Sequence, residues 1–448
     1  DDSHTSFGQG RLTSVSLPSG ILLQYAYDAD GNVTQRKSPA NSTTYTIADT
    51  FHPNGQKSST TFPDGSKRSN TYNTNGMLTQ IAYTGVGKQT STTLISYSQF
   101  DPYGHPGTET LANGVVSTIG HDVYGRVQSQ STANAQSTVL FSNTVTRNAL
   151  DAITAETDSL LPRVFTYSSP GRLQNTSNSQ TQSVLESFQY DDSGNVTQLD
   201  GTTLTFQQYA PQSDTGGNVP FTATYDADGD LLSMDRSSVT ASYTYDGEQR
   251  LTTAGQTSYV YNHLGQRLTK TESALTTHYV FPEYEVVTFA NGSQQHSCII
   301  SGQNTPDYIV TTADKGTPTT VAGVPAIGDA FFIHDHRRSM RIMTDGVLGT
   351  GVVQTSVAYQ AYGAVQSLTG SQAVRYLYSG REYDQDARAY YFGARYYDPV
   401  LTRFITPDDQ LGGRLLDRDT FNVYAYVLND PIALIDPTGH SWWDFVGQ

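Results

Sequence analysis

The chain has 448 residues, of which 15% are charged, and a formal net charge of −16 at pH 7. Because nothing in the sequence forms a basic stripe that would offset the repulsion of phosphates, this charge argues against a nucleic-acid partner. The 30 Tyr and 39 Gly residues exclude an aromatic-poor disordered chain, and the many Thr, Ser, Gln and Asn residues favour polar-faced strands. We therefore expect an all-β protein.

The cysteine count and the N-terminal sequence bear on the compartment. The chain has a single cysteine, Cys298, so no intrachain disulfide forms, and the redox compartment is left open. Residues 1–10 lack the basic start and apolar run of a signal peptide, and no stretch of about 18 apolar residues occurs. We expect a soluble chain without a membrane span. Because residue 1 falls inside repeat-like sequence, we also expect a fragment or a processed product.

A repeated pattern begins near the N-terminus and continues through most of the chain. Each copy has an aromatic residue, an Asp or Asn, two or three further residues, a Gly, and then a hydrophobic residue in a polar strand. Most successive copies start about 20 to 28 residues apart, a spacing typical of a repeat architecture. The copies begin at Tyr27, Phe51, Tyr72, Phe100, His121, Tyr167, Tyr190, Tyr225, Tyr245 and Tyr261.

The chemistry of one copy explains its form. The Asp or Asn after the aromatic residue accepts backbone N–H groups in an Asx-turn, and the Gly supplies the positive φ that closes a hairpin. The flanking residues alternate between polar and apolar, as in residues 44–51, which indicates strands with one buried face. Since one hairpin cannot bury its apolar face alone, the copies are predicted to stack side by side into a long sheet.

Two segments interrupt this pattern and are predicted to be loops. They are residues 211–220 and residues 311–330, the second of which is rich in Thr, Gly and Pro. After them, His334, Asp335 and His336 lie on a predicted strand, where the two histidines point the same way and suggest metal ligands. No third ligand stands at a known spacing, so a hydrogen-bonded structural pair is the favoured interpretation.

Residues 376–439 combine many tyrosines with Gly and Arg and end on two Asp-Pro steps. Buried tyrosines need partners for their hydroxyls, and the intervening arginines can stack on rings and bond to backbone carbonyls, so a compact plug is predicted. This segment resembles the Rhs-associated core that ends the shell of Rhs and YD-repeat proteins, including the C component of bacterial insecticidal toxin complexes.

The resemblance implies a spiralling sheet of β-hairpin repeats that forms a hollow shell closed by the plug. The implied boundaries are a repeat shell at residues 1–370, the plug at residues 371–440, and the stub of a variable C-terminal region at residues 441–448. An ordinary β-sandwich or propeller would use similar turns and remains the alternative fold. It would not explain the tyrosine-rich plug.

The same resemblance implies a self-cleaving aspartyl protease in the plug, acting at most on its own chain. Its catalytic residues would be Asp408 and Asp436, and the cut would fall after His440, between His440 and Ser441. Two carboxylates held close in a water-poor cavity share a proton, so that one acts as a base toward water while the other stays an acid. The alternative is that both aspartates only cap turns. The usual nucleophile, phosphate-loop and dinucleotide motifs are absent.

For the whole protein, the resemblance implies a structural container of a bacterial polymorphic toxin, which encapsulates and delivers a C-terminal effector without a cofactor or a metal. The expected partners are the chain's own effector region and a second shell-forming subunit or a secretion-system adaptor. The expected location is extracellular, after secretion or delivery from a bacterium. The alternative is a cell-surface adhesion or carbohydrate-recognition module of the teneurin-like YD-repeat type.

Overall fold

The computed structural model describes residues 8, 10–16, 22–40, 42–169, 171–207, 210–215, 220–236, 238–302, 306–315, 324, 326–370, 372–408 and 422–440. Over these residues the secondary structure consists of β-strands and two short 3-10 helices. No helix in this part of the chain has the length and hydropathy needed to cross a membrane.

Strands β1 to β33 form one antiparallel sheet. The first eleven are β1 Ser14–Ser16, β2 Leu22–Tyr27, β3 Val33–Ala40, β4 Thr43–Phe51, β5 Lys57–Thr61, β6 Lys67–Tyr72, β7 Leu78–Thr84, β8 Thr92–Ser98, β9 Thr108–Leu111, β10 Val116–His121 and β11 Val127–Ala133. The next eleven are β12 Val139–Arg147, β13 Ile153–Glu156, β14 Arg163–Tyr167, β15 Leu173–Asn178, β16 Val184–Tyr190, β17 Val196–Leu199, β18 Thr202–Gln207, β19 Ala210–Thr215, β20 Phe221–Tyr225, β21 Leu231–Arg236 and β22 Val239–Tyr245. The last eleven are β23 Leu251–Ala254, β24 Thr257–Tyr261, β25 Arg267–Thr271, β26 Leu275–Phe281, β27 Tyr284–Phe289, β28 Gln294–Ser301, β29 Pro306–Lys315, β30 Gly328–His334, β31 Met340–Asp345, β32 Val353–Tyr359 and β33 Val365–Gly370.

Each strand of this sheet pairs with the strand that follows it in the chain, so the sheet is a continuous meander of hairpins. A second, four-stranded antiparallel sheet follows, made of β34 Glu382–Asp384, β35 Ala389–Tyr391, β36 Tyr396–Asp398 and β37 Arg403–Phe404. The prediction of an all-β fold built from stacked hairpins is therefore confirmed.

The repeat turns have the predicted chemistry. At one of them, Asp226 accepts the N–H groups of Asp228 and Asp230 on its Oδ1, both at 2.9 Å, and Gly229 has a φ of 90°. The turn of the copy that begins at Tyr245 differs, because Gln249 takes the left-handed position there with a φ of 58°. Glycine is thus the preferred residue at this position rather than a requirement.

Tyrosine hydroxyls join successive hairpins. The hydroxyl of Tyr245 donates to the carbonyl of Leu231 at 2.9 Å, and that of Tyr261 donates to the carbonyl of Leu251 at 2.7 Å. Each of these tyrosines ends one strand, and its partner begins the strand immediately before it in the sheet, which belongs to the preceding repeat hairpin. The repeated aromatic residue therefore supplies both buried ring area and a polar link between neighbouring repeats.

The link made by Tyr245 gives a testable stability effect. Replacing Tyr245 by Phe leaves the Leu231 carbonyl without this donor, and we expect the free energy of unfolding to fall by about 1 kcal/mol. Urea unfolding measures this as a lower midpoint at an unchanged slope. Tyr124→Phe is the matched control, because its ring is 72% exposed, and it should leave the midpoint within error. Equal shifts in both variants would contradict a linking role for the Tyr245 hydroxyl.

The sheet curls because its register shifts once in most repeats. The ladder between β6 and β7 shifts at Tyr72, and equivalent shifts occur at Tyr190 and Tyr225. A bulge bends its strand and increases the local twist. Repetition of the bulge next to the same kind of turn gives the long sheet a cumulative curvature.

This curvature brings distant strands face to face. Strand β26 contacts β3, and β31 contacts β12. One hydrophobic core lies between the early and late strands, where Ile47 and Phe141 belong to the same cluster as Val286. A second core joins the middle strands to the chain after β33, and Phe188 and Tyr397 belong to it. The curled sheet therefore packs around the chain that follows it.

The two predicted loops are corrected in part. Strand β19 includes residues 211–215, and strands β29 and β30 include residues 311–315 and 328–330, while residues 216–219, 316–323 and 325 lie outside the described residues. Polar side chains stabilise these strands across the sheet, as where Thr205 Oγ1 lies 2.8 Å from Ser213 Oγ. A polar, aromatic-poor sequence was therefore wrongly taken to exclude a strand.

Candidate functional site

The candidate site lies in the segment that follows β33. It consists of the four-stranded sheet β34 to β37 and the 3-10 helices Tyr378–Gly380 and Val427–Asn429. We call the described residues 372–408 and 422–440 the plug. Since β-bridges join residue pairs as distant as Arg403 and Ala425, the two parts of the plug form one packed unit.

The centre of the plug is a cluster of tyrosines. The rings of Tyr397 and Tyr426 lie 4.4 Å apart between centroids, and both side chains are fully buried. The Tyr397 hydroxyl donates to the carbonyl of Tyr362 at 2.8 Å, and the Tyr390 hydroxyl donates to that of Gly363 at 3.0 Å. Burial raises the pKa of Tyr397 well above its ordinary value, so the hydroxyl stays protonated and available as a donor. The turn after β32 thus anchors the plug to the large sheet.

Buried ion pairs form a second anchor between plug and sheet. Arg267 of β25 forms a salt bridge with Glu382 of β34, and its guanidinium lies 4.4 Å and 4.3 Å from the ring centroids of Tyr279 and Tyr391. The Tyr279 hydroxyl also donates to Glu382 at 2.8 Å. Burial opposes ionisation of Glu382, but Arg267, Arg375 and Lys270 hold its pKa well below its ordinary value.

The plug brings the two predicted catalytic residues onto one arginine. Nη2 of Arg395 lies 2.8 Å from Oδ2 of Asp408 and 3.9 Å from Oδ2 of Asp436. Arg395 also stacks 3.7 Å from the ring centroid of Phe404 and donates to the carbonyl of Val423 at 2.8 Å. Its guanidinium is therefore fixed, and it places one positive charge against both carboxylates.

The two aspartates differ in their surroundings. Asp436 is 3% exposed, and its Oδ1 accepts the N–H groups of Thr438 at 3.0 Å and Gly439 at 2.7 Å. Asp408 has its Oδ1 3.2 Å from Nδ1 of His440. Asp436 therefore fixes the turn that leads to the predicted cut, while Asp408 faces the side chain next to it.

The chain before the predicted cut is held by a donor at each of three successive carbonyls. Arg381 bonds to the carbonyl of Pro437, the Ala394 N–H donates to that of Thr438 at 3.0 Å, and Nε of Arg395 bonds to that of Gly439. Such a chain is pre-positioned up to the residue at which cleavage is predicted. Ser441, on the far side of the predicted cut, lies outside the described residues.

The contact of Arg395 with both aspartates is not predicted by the sequence. The ring stacking and carbonyl bonding predicted for the plug arginines are both made by Arg395. The link to both aspartates depends on contacts between positions far apart in the chain, for which the sequence carries no local signal. The contacts of Asp436 fit the turn-capping alternative, while Asp408 contacts the side chains of Arg395 and His440.

The two histidines considered as metal ligands have separate partners. Nδ1 of His334 lies 3.5 Å from Asp307, whereas Nε2 of His336 lies 3.5 Å from Glu156 and 3.3 Å from the carbonyl of Ile432. The prediction that both histidines lie on one strand is wrong, because strand β30 ends at His334 and His336 lies in the turn after it. The two imidazoles therefore contact different carboxylates.

The curled sheet and the plug line a cavity of about 1420 Å³. Its wall includes Tyr97 of β8, Glu109 of β9, His334 at the end of β30, and Asp430 of the plug. Burial and the charge of Asp307 raise the pKa of Glu109 to about 8, and burial raises that of Asp430 to about 6. The cavity therefore holds carboxyl groups that titrate close to neutral pH.

The raised pKa of Glu109 predicts a pH-dependent stability. The folded state holds the Glu109 proton more tightly than the unfolded state, so this group lowers stability as pH rises from 4.5 to about 8. We expect Glu109→Gln to remove that loss, so that its unfolding temperature exceeds that of the native protein by more at pH 8 than at pH 5. Thermal unfolding at the two pH values measures the difference.

Glu248→Gln is the control for this prediction. The Glu248 side chain is 73% exposed, so its substitution should shift the unfolding temperature equally at both pH values. If Glu109→Gln leaves the pH dependence of the unfolding temperature unchanged, a half-buried Glu109 that binds a proton near neutral pH is contradicted.

Comparisons with known proteins bear on the fold and the repeats. The sequence profile of the RHS Repeat family matches residues 8–43, and that of the Teneurin YD-shell family matches residues 110–323. The crystal structure of TcdB2-TccC3-Cdc42 superposes with a TM-score of 0.75 at 16% identity, over 95% of this chain and 24% of that one. At this identity the structural similarity establishes the fold alone.

Two curated relatives are toxins or nucleases by name. The tRNA3(Ser)-specific nuclease WapA of Bacillus spizizenii is 27% identical over 213 residues, which cover 45% of this chain and 8% of the relative. Double-stranded DNA deaminase toxin A of Burkholderia cenocepacia is 26% identical over 303 residues, which cover 61% of this chain and 20% of the relative. The chain thus spans a small part of the length of these relatives.

Proposed function

Because the chain belongs to the Rhs/YD-repeat family, we propose that it forms part of the wall of a hollow container around a C-terminal effector. The observation that carries this proposal is the position of the plug. The middle strands of the sheet pack against it, and residues 437–439 are held there by bonds to the carbonyls of Pro437 and Gly439 and by Asp436. A chain that continues beyond residue 440 starts from the plug.

We propose the following division of the chain. Residues 1–370 would form the repeat wall, residues 371–440 the plug, and residues 441–448 the beginning of the variable region that the container holds. The described part of the wall ends with β33 at Gly370, and the plug sheet begins with β34 at Glu382. The alternative is an adhesion or carbohydrate-recognition module. The Teneurin YD-shell match covers only repeat hairpins of the wall, residues 110–323, so it supports the shared repeat fold and gives no specific support to adhesion.

The partners and location are proposed from the relatives. The nuclease and deaminase relatives are named for activities on nucleic acids, while the matched structure contains TcdB2 together with TccC3. We infer that the partners here are the chain's own C-terminal effector and further shell-forming repeats, from this chain or a second subunit. The container then acts outside the bacterium that delivers it.

Protease protection tests the container. The full-length gene product and its isolated C-terminal region are digested side by side with a nonspecific protease, and fragments are identified by mass spectrometry. We expect the region beyond residue 448 to survive in the full-length protein at protease levels that destroy the isolated region. Digestion at equal rates would contradict the proposal.

We propose further that Asp408 and Asp436 cleave the chain after His440. Water adds to the His440 carbonyl carbon as one carboxylate accepts its proton. The bond to the Ser441 nitrogen then breaks, and the other carboxyl group, protonated at the start, supplies the proton that this nitrogen takes. The contact between Asp408 and His440 supports this placement, because it sets a carboxylate beside the residue at the cut. The positive charge of Arg395 favours the ionised form of both aspartates and so opposes the proton that they share. The reaction therefore requires Arg395 to move away from one of the two aspartates.

A further inference from the structure

Three potential metal ligands meet at one edge of the large sheet, away from the plug. Oδ2 of Asp101 lies 3.1 Å from Nδ1 of His105 and 3.8 Å from Nδ1 of His121. One ligand atom from each of the three residues lies within 4.8 Å of the other two. Asp101 and His105 belong to the turn before β9, and His121 ends β10 at the start of the next turn of the same edge. Neighbouring repeats therefore contribute to one cluster.

This cluster departs from the repeat pattern at two positions. In other copies, the residue four after the turn aspartate bonds to its Oδ2 as an amide or a guanidinium, for example Asn32, Asn195 and Arg250. Here that position holds His105. In addition, His121 occupies the place where most copies have Tyr or Phe. At both positions an imidazole, which binds metals well, stands where other copies have a poor metal ligand. The two imidazoles face the same oxygen, Oδ2 of Asp101.

We propose that Asp101, His105 and His121 bind one Zn²⁺ ion. Two imidazole nitrogens and one carboxylate oxygen are ligands that zinc prefers, and neighbouring ligand atoms around a tetrahedral zinc lie about 3.3 Å apart, given bonds of about 2.0 to 2.1 Å. The measured separations of 3.1 Å and 3.8 Å bracket that value. Water takes the fourth position.

The turn holds the carboxylate ready for this role. Oδ1 of Asp101 accepts the N–H groups of Tyr103 at 2.8 Å and His105 at 2.9 Å, which leaves Oδ2 directed at the two rings. The His105 ring packs closely over Gly125, where a Cβ would lie 2.9 Å from the imidazole, so a side chain at residue 125 would displace the ring. Two of the three ligands are thus oriented before an ion arrives.

The access of the cluster also suits a cation. His105 and His121 both line the cavity wall, which gives an ion a route to the site.

The test uses variants that copy other repeats, so that folding is preserved. Asp101→Asn keeps the turn acceptor, as Asn73 and Asn262 do, but removes the charged oxygen. His105→Asn copies Asn195, and His121→Tyr restores the usual aromatic residue. His263→Asn is the control, because His263 is an exposed histidine in another repeat turn.

Isothermal titration of the untagged chain with ZnCl₂ gives the readout. We expect the native protein and His263→Asn to bind one ion with the same affinity, and each of the three cluster variants to bind at least about 10-fold more weakly. Zinc should also raise the unfolding temperature of the native protein and not that of His121→Tyr. No binding by the native protein, or equal binding by native protein and cluster variants, would overturn the proposal.

Discussion

Replacing Arg267 by Met is expected to lower the free energy of unfolding by about 3 to 5 kcal/mol, which is the usual cost of leaving a buried charge without its partner. Arg267 is 4% exposed and forms a salt bridge with Glu382, which is itself 5% exposed. Met fills most of the volume but supplies no positive charge. The remaining cations, Lys270 at 3.7 Å and Arg375 at 3.4 Å from Glu382, offset only part of the loss.

Denaturant unfolding measures this effect, and Arg250→Met is its matched control. Arg250 pairs with Asp246 in an exposed turn, with 23% of its side chain accessible, so its loss should cost below about 1 kcal/mol. The double variant Arg267→Met with Glu382→Gln should recover part of the stability, because the orphaned charge is gone. A single variant as stable as Arg250→Met would show that this network does not hold the plug in the sheet.

Asp408→Asn and Asp436→Asn are each expected to abolish self-cleavage. Asn keeps the shape of the carboxylate, and at residue 436 it retains an oxygen for the N–H groups of Thr438 and Gly439. It can neither accept the proton from water nor share one with its partner, so the loss should be complete rather than partial. Denaturing gel electrophoresis of the full-length gene product should show two fragments for the native protein and one intact band for both variants.

Asp430→Asn is the control for cleavage. Asp430 is half-buried in the plug and also precedes a proline, but it lies on the cavity wall, and Arg395 contacts Asp408 and Asp436 instead. Its variant should be cut to the same extent as the native protein, and mass spectrometry should place the new terminus at Ser441. An intact native chain would assign Asp408 and Asp436 a structural role and leave the container proposal standing.

Local patterns in the sequence predicted the hairpins well. The Asx-turn and the positive φ of Gly229 follow from residues within five positions of each other, so the prediction needed no tertiary information. It failed where a polar sequence was taken to be a loop, as at β19, because neighbouring strands supply partners for Thr and Ser side chains. It also could not anticipate Gln249 in a left-handed conformation.

The candidate sites were harder to predict, since they depend on which repeats meet. Asp408 and Asp436 were identified only through the resemblance of their motifs, and nothing in the sequence connected them to Arg395. His105 and His121 are separated by a whole hairpin, and their proximity follows from the stacking of successive repeat turns. In a repeat protein, a residue that departs from its own pattern is therefore the signal to follow.

Cryo-electron microscopy of the full-length gene product tests the container most directly. The map is compared with that of the same protein ended at residue 448, so that any difference arises from the C-terminal region. The container proposal predicts difference density inside the curled sheet, connected to the plug at His440. Density for the C-terminal region outside the wall, with an interior identical in the two maps, would contradict it.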